Sequence, residues 1–199
     1  MLRFSLILAG YCAVLLLYGC VSDREKIDAI NDVNKEFRRQ YEEIIKEDGT
    51  RQFNATEMQA FAAMENSLRS LGMRIEAQDS NVGYIRSVAP APKPLSPTEW
   101  KEASSVDIER MRSIIVENVG VLGYFVKFEP EGLEIVINVT TEQISDIVEV
   151  SVTMRMREIK PPKTGWPRRE YPPPTGMRIG IEKFWSSFEK ELQRVKLIQ

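Results

Sequence analysis

The chain has 199 residues, with 27 lysines and arginines against 29 aspartates and glutamates, a formal net charge of −2, and no histidine. A balance this near neutral gives no electrostatic reason to expect nucleic acid as a partner, and the lack of histidine removes the commonest general base, the usual imidazole metal ligand and the Ser-His and Cys-His nucleophile pairs. Both cysteines, Cys12 and Cys20, fall at the very start, so a disulfide, thiolate metal site or cysteine nucleophile in the remainder is excluded as well.

Arg3 and the amino terminus precede an apolar run from Phe4 to Leu17 that only Ser5 and Gly10 interrupt. The run is shorter than the ~20 apolar residues of a comfortable spanning helix and leads to the small residue Gly19, so 1–19 reads as a secretory signal peptide. The other reading is a short N-terminal anchor that is never cut. Leu17-Tyr18-Gly19-Cys20 resembles the lipobox of bacterial lipoproteins, with Tyr18 departing from the small residue usual at its place. That resemblance implies cleavage before Cys20, a diacylglycerol with palmitate-type chains on the Cys20 thiol, and the membrane as a partner through that lipid. It implies residence in the bacterial cell envelope. Val21 is not aspartate, which under the family's sorting rule implies the outer membrane, facing the periplasm.

Residues 20–49 form a lipid-anchored N-terminal segment with an amphipathic helix. Ile27, Ile30, Val33, Phe37, Tyr41, Ile44 and Ile45 recur at steps of three and four, which predicts a helix over 23–47, with Asp23 as its cap and Asp48-Gly49 as its end. Its stripe packs on the rest of the chain or serves as a stalk or coiled-coil seam. Residues 50–199 read as a single α+β domain. After a short extended Thr50–Phe53, Asn54-Ala55-Thr56-Glu57 has the outline of a capping box, and Met58, Phe61, Ala62, Leu68 and Leu71 mark the buried face of a helix stopped by Gly72. Met73, Ile75 and Ala77 alternate with polar residues into an Asp79-Ser80-Asn81 turn and a strand over 82–88.

This order, Leu71-Gly72-Met73 through Asp79 to Gly83-Tyr84-Ile85, is similar over about forty residues to the helix-on-sheet domains of the C lipoprotein of the outer-membrane β-barrel assembly machine and of other envelope lipoproteins. The resemblance implies a fold, and a function only by analogy.

Four prolines in 89–97 predict an extended connector, and Ser96-Pro97-Thr98-Glu99 a helix start. That helix holds Trp100, Ile108, Met111, Ile114 and Ile115 up to Gly120, with a break expected at Ser104-Ser105. Leu122, Tyr124, Val126 and Phe128 then alternate as a strand before the Glu129-Pro130-Glu131-Gly132 turn. Two further inward rows run from Leu133 to Val139 and from Val148 to Met156, giving three adjacent antiparallel strands. The intervening Glu149, Ser151, Thr153, Arg155 and Arg157 predict a wet opposite face.

Residues 157–178 hold six basic residues against two acidic ones, six prolines, Trp166 and Tyr171. Lys160, Lys163, Trp166, Arg168, Arg169 and Tyr171 are therefore the candidate interaction loop, suited to lipid headgroups, an anionic glycan or an acidic partner. The plainer reading is a crossover whose Trp166 packs on the core. Ile179, Ile181, Phe184, Trp185, Phe188, Leu192 and Val195 close the chain as an amphipathic helix, either covering the sheet or lying on a membrane. Its polar face mixes both charges without a basic excess, which favours the sheet.

The acidic pairs Glu42/Glu43, Glu129/Glu131 and Asp146/Glu149 lie on a charged helix face, around a turn proline and at a strand entry, with no facing geometry implied. No glycine-rich phosphate loop or oxygen-rich metal loop appears, so no catalytic residue, cofactor, metal or small-molecule substrate is assigned. Asn54 and Asn138 open glycosylation sequons that in such a protein are coincidental. The expectation is α+β: an antiparallel sheet of five or six strands with helices mainly on one face, after the signal peptide and amphipathic helix. Its function is that of a non-catalytic envelope lipoprotein binding or supporting a protein partner. The alternatives are lipid or glycan binding through 157–178 and, last, a carboxylate-dependent enzyme.

Overall fold

The computed structural model describes residues 21–125, 129–160 and 170–198. Helix α1, Asp23–Asp48, starts one residue after its cap: Ser22 Oγ accepts from the Glu25 amide and the Glu25 carboxylate accepts from the Ser22 amide. This reciprocal box replaces the expected Asp23 cap, because a serine with glutamate three positions on satisfies two orphan amides at once. Ala29, Val33, Phe37, Tyr41 and Ile44 enter the main core, so the stripe is packed rather than displayed as a stalk. The opposite side carries Arg38–Glu42 and Arg39–Glu43 pairs one turn apart.

Strand β1, Thr50–Phe53, leads to helix α2, Glu57–Ser70. The cap of α2 is Thr56 with Gln59, not Asn54 with Glu57. That start frees Glu57 to donate its amide to Gln143 Oε1 at 2.9 Å; Ala60, Ala63, Met64, Ser67 and Leu68 are buried, with the expected Phe61 and Leu71 packed against the core beside them. Met58, expected inside, is 73% exposed. Strands β2, Arg74–Asp79, and β3, Tyr84–Pro90, form a hairpin with a bulge between Ile75 and Ala77. Pro90 is tolerated because β2 pairing ends at Val88, leaving no ladder donor needed on that side. The following prolines are not extended. Lys93 and Leu95 donate back to Pro90 and Pro92 carbonyls in successive turns, and Leu95 is buried.

Helix α3, Pro97–Val119, has the predicted Ser96–Glu99 box and runs unbroken through its serines. Small Ser104 faces inward, and the Ser105 hydroxyl bonds the Glu102 carbonyl at 2.6 Å, which a helix accommodates. The strand expected from residue 122 is not formed where the chain is described: Gly120–Phe125 is a 3₁₀ helix. Gly120 stops α3 at φ 61°, and Gly123 lies so close to Val116 that a Cβ there would sit 2.7 Å from Val116 Cγ2. The chain thus folds back on its own helix. Val126 and Phe128 lie outside the described residues.

Strands β4, Leu133–Ile144, and β5, Ile147–Glu158, make a long hairpin, and helix α4, Pro174–Ile198, closes the chain. The sheet is antiparallel in the order β1-β5-β4-β3-β2. α2 and α4 pack on its inward rows, while α1 and α3 pack on α4 and on each other. Ile135, Ile137, Val139, Val150, Val152 and Met154 meet Met64, Leu68, Phe184, Trp185 and Phe188 in one core, each large side chain contributing ~1.5–3 kcal/mol by burial.

Candidate functional site

The face of the sheet away from α2 and α4 is built by the alternate residues of β1, β3, β4 and β5. Cross-strand register puts Thr50, Ser151, Thr140 and Tyr84 in one row, and Thr153, Asn138 and Arg86 in the next. Thr140 is exposed and Tyr84, Arg86, Asn138, Ser151 and Thr153 are half-buried, so solvent reaches this surface. Its side chains hold one another. Tyr84 Oη donates to Asn138 Oδ1 at 3.0 Å, Asn138 Nδ2 to Thr153 Oγ1 at 3.4 Å, and the Thr50 and Ser151 hydroxyls meet at 2.9 Å.

Beside this polar strip runs a chain of opposite charges, Arg86–Glu76–Arg157–Glu134, with separations of 2.9, 3.0 and 2.6 Å. Glu76 reaches it because the β2 bulge leaves it opposite no residue of β3. The Arg157 guanidinium holds the Glu76 carboxyl below its usual range, and Glu134 and Glu76 in turn raise Arg157. Val88 and Val136 are buried on the same face, flanked across the strands by Arg74 and Arg155.

The candidate loop begins at the end of β5. Cys20, Lys163, Trp166, Arg168 and Arg169 lie outside the described residues. Lys160 is exposed. Tyr171 is buried, a correction to its expected place among contact residues: its ring tilts against Tyr41 at 5.4 Å, and the Arg155 guanidinium lies over both rings at 4.3 and 4.8 Å. It anchors the end of the loop to α1 and β5, as a large amphipathic ring beside a cation does. Two of the segment's cations are neutralised internally, Arg157 as above and Arg178 by Glu47 and Asp48.

Of the acidic candidates, Glu42 and Glu43 pair with arginines of α1, and Glu149 accepts from Gln52 at 3.1 Å. Among the described residues no group of three or more acidic, cysteine or histidine side chains is placed to hold a metal. An open depression of about 410 Å³ between α2 and α4 is lined by Asn66, Ser70, Glu191, Arg194 and Val195. Glu191 is nearly buried there and is bound by Arg194 at 3.0 Å, an ordinary i,i+3 pair. One carboxylate missed in the sequence is Asp107 of α3, whose ionisation burial opposes, raising its pKa. It accepts from the Thr175 amide and hydroxyl, both at 2.9 Å, and so caps α4 from outside. No spacing rule links an Asp to a cap 68 residues away.

The polar strip was half legible. β5 alternation marks Glu149 to Arg157, whereas the contributions of Tyr84, Asn138 and Glu76 depend on register and on a bulge. Searches of protein families, curated proteins and solved structures find no match to the chain.

Proposed function

We propose that this chain is a bacterial envelope lipoprotein, anchored by lipid on Cys20, and that it acts as a non-catalytic binding or scaffold component by docking a protein partner on the open face of its sheet. The observation that supports this most is the self-held polar and charged surface around Tyr84, Asn138, Thr153 and Arg157. Side chains already ordered by each other lose little further freedom when a partner binds, which is the main cost of a polar interface. The surface carries both signs of charge, which suits the mixed rim of a protein interface better than the one-sign field of an anionic lipid or glycan. The loop at 157–178 is the weaker candidate, since Arg157 and Arg178 are already paired.

The test is photocrosslinking in intact cells. A crosslinking residue at exposed Thr140 should give one discrete protein adduct, lost when Thr153→Arg is added, while the same residue at exposed Lys190 on α4 gives none. An adduct from Lys190 alone, or co-purifying lipid or glycan with no protein adduct, overturns the sheet-face reading.

A further inference from the structure

Val21, the residue directly after the lipidation position, packs against the main core, Ser22 caps α1, and helix is continuous from Asp23. The lipid-bearing position is thus joined to the folded body by about 7 Å of chain at most, two residues at ~3.5 Å each. No loose arm separates them. The body is held at the bilayer surface, with one end committed to face it.

The packing identifies that end. Gly49, after α1, accepts from the Val152 amide, and Tyr41, two turns earlier, meets Arg155, so α1 runs back alongside the part of β5 that β1 leaves unpaired. Its N-terminus then lies about 39 Å from its C-terminus, 26 residues at ~1.5 Å each. α3 crosses α1 in the opposite sense: Arg110 pairs with Glu36, and further along α3 Asn118 donates to Asp32 at 3.1 Å. Beyond Asn118 the chain turns at Gly120 into the 3₁₀ helix, on the same side as the start of α1. There Val121 is 59% and Tyr124 60% exposed, and Ile27 of α1 is 47% exposed. The first-turn charges Asp23, Arg24, Glu25 and Lys26 cancel.

We infer that the 3₁₀ segment Gly120–Phe125, together with Ile27, is a second membrane contact that rests on the phospholipid bilayer carrying the anchor. This builds on the lipoprotein reading above. Val121 and Ile27 supply apolar contact, and Tyr124 sets its ring at headgroup level with its hydroxyl in water, the usual place of an interfacial tyrosine. So small a patch would not bind membrane alone. The lipid a few residues away makes its contact intramolecular, with a high effective concentration. With Asp28 and Glu117 beside it and no basic excess, the contact is apolar and should not weaken with salt.

The mature chain would have no thiol except the lipidated one, so an added cysteine can be labelled alone. Full-length protein with Tyr124→Cys or Val121→Cys, carrying an environment-sensitive dye, is reconstituted into phosphatidylethanolamine–phosphatidylglycerol vesicles. A control label sits at Val82→Cys in the exposed β2–β3 turn, at the opposite end of the sheet. The expected result is blue-shifted emission and quenching by brominated lipid at 121 and 124, with water-like emission at 82. Acylated, vesicle-bound protein whose labels at 121 and 124 emit as in water overturns this inference and leaves the lipoprotein reading standing. Intact-mass measurement finding no acyl chain on Cys20 overturns both.

Discussion

Trp185 ties three elements together with one side chain. Its ring lies among Phe53, Phe184 and Phe188, Arg51 stacks on it at 5.0 Å, and its Nε1 donates to the Asp48 carbonyl at the end of α1 at 2.7 Å. Trp185→Ala should cost ~3–5 kcal/mol through cavity and lost transfer energy. Trp185→Phe should cost less, about 1–3 kcal/mol, chiefly for the carbonyl that loses its donor. Urea midpoints for the two variants check the order: equal losses would mean that the bond to Asp48 outweighs ring burial, and an unchanged midpoint for Trp185→Phe that the indole nitrogen contributes nothing. Gly83 is constrained by its backbone rather than by its neighbours' side chains alone. At φ 61° an added Cβ would stand 2.2 Å from Thr141 Oγ1 and 2.7 Å from the Thr141 carbonyl, whose amide is bonded to Gly83. Gly83→Ala should therefore lose ~1–3 kcal/mol, read as a lower melting temperature.

Helix α4 packs on β5 and on the other three helices, and it supplies the largest aromatic side chains of the core. Ile181, Phe184, Trp185, Phe188 and Leu192 are all buried, and Asp107 fixes the start of the helix through Thr175. Truncation before Gly180 should expose the apolar row of β5 and the helix faces packed on α4, so the shortened protein melts well below the full chain or aggregates. A scan superimposable on the full chain's would place the cover elsewhere. This helix was legible in the sequence because seven apolar residues hold a 3.6 period, as were α1 and the β4–β5 hairpin with its period of two. The 3₁₀ segment was misread because Leu122 and Tyr124 alternate as a strand would, while what decides the backbone is the contact of Gly123 with Val116. The α2 stripe was legible in part: Leu68 is buried and Phe61 and Leu71 pack against the core, while Met58, in the first turn after the Thr56 cap, is exposed and small Ala60 and Ala63 take the most buried places. The register of β3 on β4 and of β1 on β5, and hence the width of the polar strip, is set by pairings such as Tyr84 with Thr140 and Thr50 with Ser151 that no local pattern encodes.

At the scale of the whole molecule, pH acts through two carboxylates of α3, and the proposed anchor is open to a direct test. Glu99 joins α3 to α4 through Lys183 at 2.6 Å, and that contact with the Ser96 cap pulls its carboxyl from 4.5 to about 2. The folded state therefore prefers the carboxylate. Its contribution is complete above pH 4.5 and is lost as pH falls toward about 2. Asp107 runs the other way, since burial raises its folded pKa above the usual 3.8, so acidification through that raised value relieves a cost. Glu99→Gln should lower stability at neutral pH and flatten the acid limb, whereas Asp107→Asn should leave that limb in place. Melting temperatures between pH 2 and 7 decide it. Lipid is tested at Cys20: Cys20→Ser should accumulate as an uncut precursor without fatty acid, and Cys12→Ser should behave as wild type, both by intact mass.

The strand order sets a schedule. β1, the first strand in the chain, completes its ladder only against β5, and Thr50 waits 101 residues for Ser151. Closing a loop of that length has an entropic cost on the order of 4 kcal/mol, met only when both partners are present. As the chain is made the N-terminal helix emerges first, yet its seat beside Arg155 does not exist until β5 has followed. Contacts this distant slow folding, so the early helix stays an open amphipathic surface until β5 is complete. Amides at the β1–β5 seam should accordingly be the last to gain protection in pulsed hydrogen exchange, after the β3–β4–β5 meander has formed.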